Sequence, residues 1–379
     1  MQVPFYIGLA GLALFEFLKV YFIMPMPGSQ QMETLDLAYF LHTYRWWFRL
    51  AFSALILIGL FKAFSIRRWW IPAVSALSAL AIVYLFNFQL TAESMFQEPQ
   101  QLVLKPRPDN ILNDSSVVVG VEYNGDTRAY PVRFLTYHHQ VQDSVGGKPI
   151  LVTYCSVCRT GRVFEPVVNG RHEQFRLVGM DHFNAMFEDA TTKSWWRQVT
   201  GEAVAGKLKG SRLPEVESWQ MTLGKWLELH PSSLVMQHDE ASLMQYDSLA
   251  RFEQGKSEGS LTRTDTLSWM DKSWVVGLHI GNESKAYDWN QLKEKRIIHD
   301  DIGQTPVVIV LASDEMSFAA FERPAGSFFS LHNDTLFTEH NKYDFSGRSY
   351  EPAASTLKKV PAYQEFWHSW RTFHPETLK

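Results

Sequence analysis

The sequence predicts an α+β protein: a strand-rich soluble part made of two homologous units, preceded by an N-terminal transmembrane helical segment. Three features predict it. Long apolar runs are confined to the stretch before Thr91, a segment that starts at Val117 recurs from Trp274, and both copies alternate short Val/Ile-rich runs with Gly and Asn turns. A chain of 379 residues is also too long for one ordinary hydrophobic core.

The membrane segment spans residues 1–92, with helices expected at about 3–24, 46–64 and 69–90. Val3 to Met24 is a near-continuous apolar run, long enough to cross roughly 30 Å of hydrocarbon as a helix. It has no basic leader region and no small-residue cleavage site, so a retained helix is expected. Glu16 and Lys19 interrupt it at a spacing that lets them pair on one face. Trp46, Trp47, Trp69 and Trp70 stand at the ends of the later runs, where indole rings favour the headgroup zone. Lys62, Arg67 and Arg68 fill the short link between the second and third runs, whereas the loop from Pro25 to Tyr44 carries Glu33 and Asp36 and no Lys or Arg. Positive loops stay inside, so the soluble part is expected outside a cell (inner) membrane crossed several times, facing the periplasm or cell exterior.

The recurrence defines the soluble part. "VVVGVEYNGDTRAYPVRFL" from Val117 returns as "WVVGLHIGNESKAYDWNQL" from Trp274, an offset of 274 − 117 = 157 residues. The match runs without a gap to Phe164-Glu165 over Phe321-Glu322, with 12 identities in 49 positions, enough to read two copies of one unit. The tails "LGKWLELHPSSLV" and "FWHSWRTFHPETL" correspond as well. The first unit is expected at 105–240 and the second at 262–379. Each copy opens with a strand, a turn (Asn124-Gly125, then Gly281-Asn282) and a second strand, because residues that tolerate positive φ favour tight hairpins. A brief helical stretch and another turn follow, and "PILVTYC" and "PVVIVLA" read as buried strands. "LGKWLELHP" has helical spacing and stops at Pro231.

Differences between the copies point to chemistry. Gly120, Tyr130, Asp143, Gly146 and Pro149 persist in both and read as architectural. Cys155 and Cys158, the two cysteines of the chain, fall opposite Ala312 and Glu315; His138 falls opposite Lys295 and His139 opposite Arg296. Thiols where a buried strand emerges into a loop suit a redox pair, with Arg159 and Arg162 able to supply positive potential to the attacking sulfur. The same two sulfurs with His138 make three ligands fit for Zn or Cu(I), with His139 a weaker candidate. A disulfide that forms once and stays is the third reading, although so short a loop removes little unfolded-state entropy. A four-cysteine zinc site is excluded within one chain, and Arg159 rather than His after Cys158 gives no c-type haem signal.

A second cluster, Met186 to Leu213, sets Asp189, Ser194, Gln198 and Glu202 among Trp195 and Trp196. Aromatic walls with a few polar groups suit a pocket. The same alternation also fits a hairpin whose tryptophans fill a core. No phosphate loop, strand-flanked G-x-G-x-x-G, nucleophile elbow or H-E-x-x-H occurs, and a net charge of −4 gives no reason to expect nucleic acid.

Taken in order, "AYPV", the first His of "HHQVQD", "GGKPILVTYCSVC", "DATTKSWWRQVTGEAVAGKLKGSRL" and "WLELHPSSLV" resemble the prokaryotic family catalogued as domain of unknown function 3179, from about Val117 to the C-terminus. Members typically carry Cys-Pro-Leu-Cys where this chain has Cys155-Ser156-Val157-Cys158, some with selenocysteine, which implies redox chemistry at the sulfur positions. By that resemblance Cys155, Cys158, His138, Asp189, Ser194, Trp196, Gln198, Gly201 and Glu202 match recurrent residues. Ser156-Val157 replaces the usual Pro-Leu, and Arg159 stands where Gly is common.

The expectation is a membrane-anchored extracytoplasmic protein with a redox site at Cys155, Cys158 and His138, and a membrane plus a redox or protein partner. The alternatives are a Zn or Cu(I) binding module that uses the same residues and a scaffold for a membrane complex.

Overall fold

The apolar N-terminal run folds as helix α1 (Val3–Tyr21), with a proline in its first turn, where the missing N–H would have no partner anyway. Then come α2 (Leu35–Thr43), α3 (Arg45–Phe64) and α4 (Trp70–Tyr84), which runs on through a wider turn to Gln89. Val3–Tyr21, Arg45–Phe64 and Trp70–Gln89 are long and apolar enough to cross a membrane.

The first half of the strand-rich region has β1 (Val117–Tyr123), β2 (Asp126–Pro131), α5 (Val132–His138), β3 (Gln140–Val145), β4 (Lys148–Cys155) and β5 (Thr160–Phe164). Four strands follow, β6 (Phe175–Asp181), β7 (Asn184–Asp189), β8 (Trp195–Arg197) and β9 (Ala203–Ala205), then β10 (Trp219–Thr222), α6 (Leu223–Leu229), β11 (Leu234–Met236) and α7 (Leu243–Glu253). The second half has β12 (Trp274–Ile280), β13 (Glu283–Asp288), α8 (Trp289–Lys295), β14 (Ile297–Ile302), β15 (Thr305–Leu311), β16 (Phe318–Glu322), β17 (Ala362–Phe366) and α9 (Trp367–Phe373). The computed structural model describes residues 2–324, 326–351 and 354–379. The chain is α+β, with a strand-rich C-terminal part and N-terminal apolar helices, as the sequence predicts.

Contacts divide it into two units: residues up to Gln97 with Glu173–Arg212, and Glu98–His172 with Leu213–Lys379. The first unit therefore takes β6–β9 out of the 105–240 stretch. In it the antiparallel sheet β9-β8-β7-β6 carries the segment between α1 and α3. Met180 N donates to Ile23 O at 2.7 Å, and Ile23 and Ala38 share a core with Val178, Met186 and Trp195. Glu16 pairs with Lys19 at 2.8 Å, as the spacing predicts, and also takes Arg49 at 2.6 Å and the Asn87 amide at 3.0 Å. Buried charge between helices persists only when partnered in this way.

In the second unit the two halves share element order and register. β1 pairs β2 with Val118 opposite Pro131, and β12 pairs β13 with Val275 opposite Asp288. β10 lies on β1 with Trp219 against Gly120; β17 lies on β12 with Tyr363 against Gly277. The persistence of Gly120 has a physical cause: a Cβ there would sit 2.4 Å from the Trp226 ring, and one on Gly277 2.2 Å from the Trp370 ring. Those indoles stack on His230 and His374, both with centroids 4.0 Å apart. Each half's hairpin tip docks on the other half's strand-to-helix corner. Phe366 N, which opens α9, donates to Cys158 O at 2.8 Å, and Thr222 N, which opens α6, donates to Ser317 Oγ at 2.9 Å.

Candidate functional site

Cys155 is the last residue of β4, opposite Thr160 of β5, and Cys158 lies in the four-residue tip between them. Antiparallel pairing of β4 and β5 holds the ends of this tip together, so the two sulfurs are near each other by construction. Both cysteines are fully buried, and Ser156 and Val157 are nearly so. The strand is anchored at its side as well: Tyr154 N donates to His139 O at 2.9 Å, and His139 Nδ1 bonds Tyr154 O at 2.8 Å.

Arg159 takes a left-handed φ of 57°, a conformation that glycine adopts without strain. Its guanidinium bonds the last carbonyls of α7, Phe252 O and Glu253 O, at 2.9 Å each, and stacks 3.7 Å from the Trp274 ring. Cations at a helix C-terminus satisfy carbonyls that have no intrahelical partner. Arg162 pairs with the buried Glu365 at 2.6 Å and lies over Tyr363. The expectation that these two arginines supply charge to the sulfurs is therefore corrected, since both charges are committed elsewhere.

The cation beside the thiols is Lys272, from the segment just before β12. Its Nζ donates to Val157 O at 2.9 Å and Leu261 O at 2.6 Å, and it lies over the Phe366 ring. Burial pulls Lys272 down to about 8 from the usual 10.5, opposed by negative charge on Cys158 and Cys155. His368, on α9, has Nε2 3.0 Å from Val157 O and 3.1 Å from Lys272 Nζ. Burial, then the Lys272 charge, lowers His368 to about 4. A neutral imidazole nitrogen serves one of these neighbours at a time, as donor to Val157 or acceptor from Lys272.

His138 ends α5, a helix that packs on β4, and its Nε2 is hydrogen-bonded to the Tyr246 hydroxyl. Among the described residues no group of three or more His, Cys, Asp or Glu side chains is arranged to hold a metal ion.

The residues of the Trp cluster belong to the other unit, on β7–β9. Asp189 accepts from Thr192 N, Ser194 N (3.1 Å) and Trp196 Nε1 (3.0 Å), and so ties the turn between β7 and β8. Ser194 Oγ accepts from Leu208 N, Gln198 Oε1 takes the Asn184 amide at 3.0 Å, and Glu202 faces Arg212. Trp196 is buried against Phe175. These five bind the sheet together, and none lines the cavity of their unit.

Sequence reasoning missed Lys272 and His368, although a signal existed. At the repeat offsets they fall opposite Ser115 and Gly224, so they occur in the second copy only.

No curated protein and no solved structure matches the chain. The family described as Protein of unknown function (DUF3179) matches residues 99–377, which spans every element of the cysteine site. The chain belongs to that family.

Proposed function

We propose that Cys155 and Cys158 form a thiol-disulfide redox centre in a membrane-anchored protein. The observation that carries this reading is Lys272, a buried ammonium held against the hairpin tip, which supplies a counter-charge for a thiolate. One thiolate attacks a sulfur of a substrate disulfide, that S–S bond breaks, and a mixed disulfide forms. The second thiol loses its proton and displaces the substrate as a dithiol, so Cys155 and Cys158 together give up two electrons and two protons. The proton acceptor is neutral His368, which meets Val157 O, or His138, the acceptor that the sequence suggests. Full burial limits direct attack to a small oxidant, or to a form in which the Lys272–Val157 bond has opened.

Shared register and reciprocal corner contacts support descent of both halves from one unit, with the second turned to serve the thiols of the first. Three spans and the basic 62–68 loop support a multi-pass topology with the thiols outside the cytoplasm.

The test uses the full chain in detergent, equilibrated in dithiothreitol redox buffers and trapped with a maleimide mass tag. Both thiols are expected to titrate together as one two-electron step that Cys155→Ser or Cys158→Ser abolishes. Stoichiometric zinc or copper lost on Cys155→Ser would overturn this in favour of a metal module. Thiols inert throughout, with the double variant fully functional in cells, would leave a scaffold. A membrane-impermeant maleimide applied to intact cells tests the orientation.

A further inference from the structure

A cavity of about 730 Å³ lies in the unit formed by the N-terminal helices and β6–β9, apart from the unit that holds the thiols. Its wall gathers the C-terminal end of α1, α2, the N-terminal end of α3, the end of the third apolar helix at Asn87, and β6. Six cations face it: Lys19, Arg45, Arg49, Arg176, Lys193 and Lys207. The acids that answer them are fewer. Glu16 takes Lys19 and Arg49, while Glu188 and Glu93 share Arg176 at 2.7 and 3.0 Å. Among the described residues no carboxylate lies within 4.0 Å of Arg45, Lys193 or Lys207. The excess is felt at His42, on the same wall: burial, then the charges of Arg45, Arg176, Lys19 and Arg49, lowers it to about 3. His42 also faces the Glu188 carboxylate, 3.6 Å from its Nε2.

The other side of the cavity is aliphatic, built by Val20, Ile23, Leu177 and Val178. Guanidinium forks match phosphate oxygens, and an apolar wall next to them suits a hydrocarbon chain. The cavity lies at the ends of the three helices that are long and apolar enough to cross a membrane.

We propose that this cavity binds a phosphate-bearing ligand, its phosphate held by Arg45, Lys193 and Lys207 and its aliphatic part lying against Val20, Ile23 and Val178. The chemistry is shared by an anionic phospholipid of the bilayer and a soluble phosphate ester. The site is independent of the redox reading and would stand if that failed.

The test is native mass spectrometry of the full chain, in detergent supplemented with phosphatidylglycerol, phosphatidylcholine or inorganic phosphate. One retained phosphatidylglycerol per chain, not displaced by millimolar phosphate, identifies a bilayer ligand. Binding of inorganic phosphate without lipid retention identifies a soluble ester. In either case the Arg45→Gln/Lys193→Gln variant is expected to bind at least tenfold more weakly, and Arg45→Lys to keep most binding, which guards against a misfolded double variant. Neutralising Lys62, Arg67 and Arg68 at the opposite end of α3 is expected to change nothing. Equal loss from that triple variant, or no loss from Arg45→Gln/Lys193→Gln, would overturn the proposal.

Discussion

The hairpin tip from Cys155 to Thr160 and the one from Ala312 to Ser317 dock on equivalent corners, yet they are held by different chemistry. The second is tied by Asp314, whose carboxylate accepts from Met316 N and Ser317 N at 2.9 and 2.8 Å and from the Thr222 hydroxyl at 2.7 Å. In the first, Val157 stands opposite Asp314 and Cys158 opposite Glu315; the Cys158 carbonyl accepts from Phe366 N, and Lys272 and His368 hold Val157 O. Beneath the tips the contrast repeats. Arg162 and Glu365 form a buried ion pair, where the equivalent positions are Ala319 and Met221. One backbone task has an economical polar solution and a costly one, and the costly one surrounds the thiols.

The largest test of that contrast is the ion pair. Arg162→Ala strands the buried Glu365 carboxylate and is expected to cost about 3–5 kcal/mol in urea unfolding followed by Trp fluorescence. Arg162→Ala with Glu365→Met copies the second half's composition and should recover most of the loss; no recovery would mean the pair does more than hold the tip.

Next is the tip itself. Asp314→Ala is expected to cost about 2 kcal/mol, and Cys158→Ala, measured under reducing conditions, only about 1 kcal/mol. The reverse order would make the cysteine structural and break the comparison.

Lys272→Met is expected to slow alkylation of the thiols about tenfold at neutral pH, equivalent to about 1.4 kcal/mol. In the unaltered chain the pH dependence has a definite sign. Lys272 titrates near 8 when folded against 10.5 ordinarily, so the unfolded chain binds more protons between these values and stability rises with pH across that window. Lys272→Met should remove the rise.

The smallest effect separates the left-handed residues. Glu315, at φ 58°, makes only an exposed pair with Lys293, so Glu315→Gly should be neutral or stabilising by up to about 1 kcal/mol. Arg159→Gly relieves the same backbone but strips the end of α7, and should destabilise.

Much of the fold was legible because it is written locally. Asn124 and Gly125 take the positive φ their turn requires, and apolar runs of spanning length became helices. The repeat made Gly120 readable as architectural before its indole neighbour was known. The site was half legible. Cys155 and Cys158 stood out, but Lys272 and His368 reach Val157 across 115 and 211 residues, and no periodicity reports a partner at that range. Likewise Glu16 and Lys19 announced each other through helical spacing, whereas Arg49, 33 residues from Glu16, did not. The alternation around Trp195 predicted strands without saying that they would pack on the loop between the first two apolar helices.

That last association bears on how the protein is made. The segment between α1 and α3 is synthesised long before β6–β9, whose Val178, Met186 and Trp195 complete its core. At roughly 5–20 residues per second, the helices wait many seconds for the sheet that covers their connecting loop. Until β6–β8 are translated, Ile23 and Ala38 lack the strands they pack on, so the finished unit is a product of late closure, and a truncation before β6 should leave a chain whose helices form yet which stays open to proteolysis between α1 and α3.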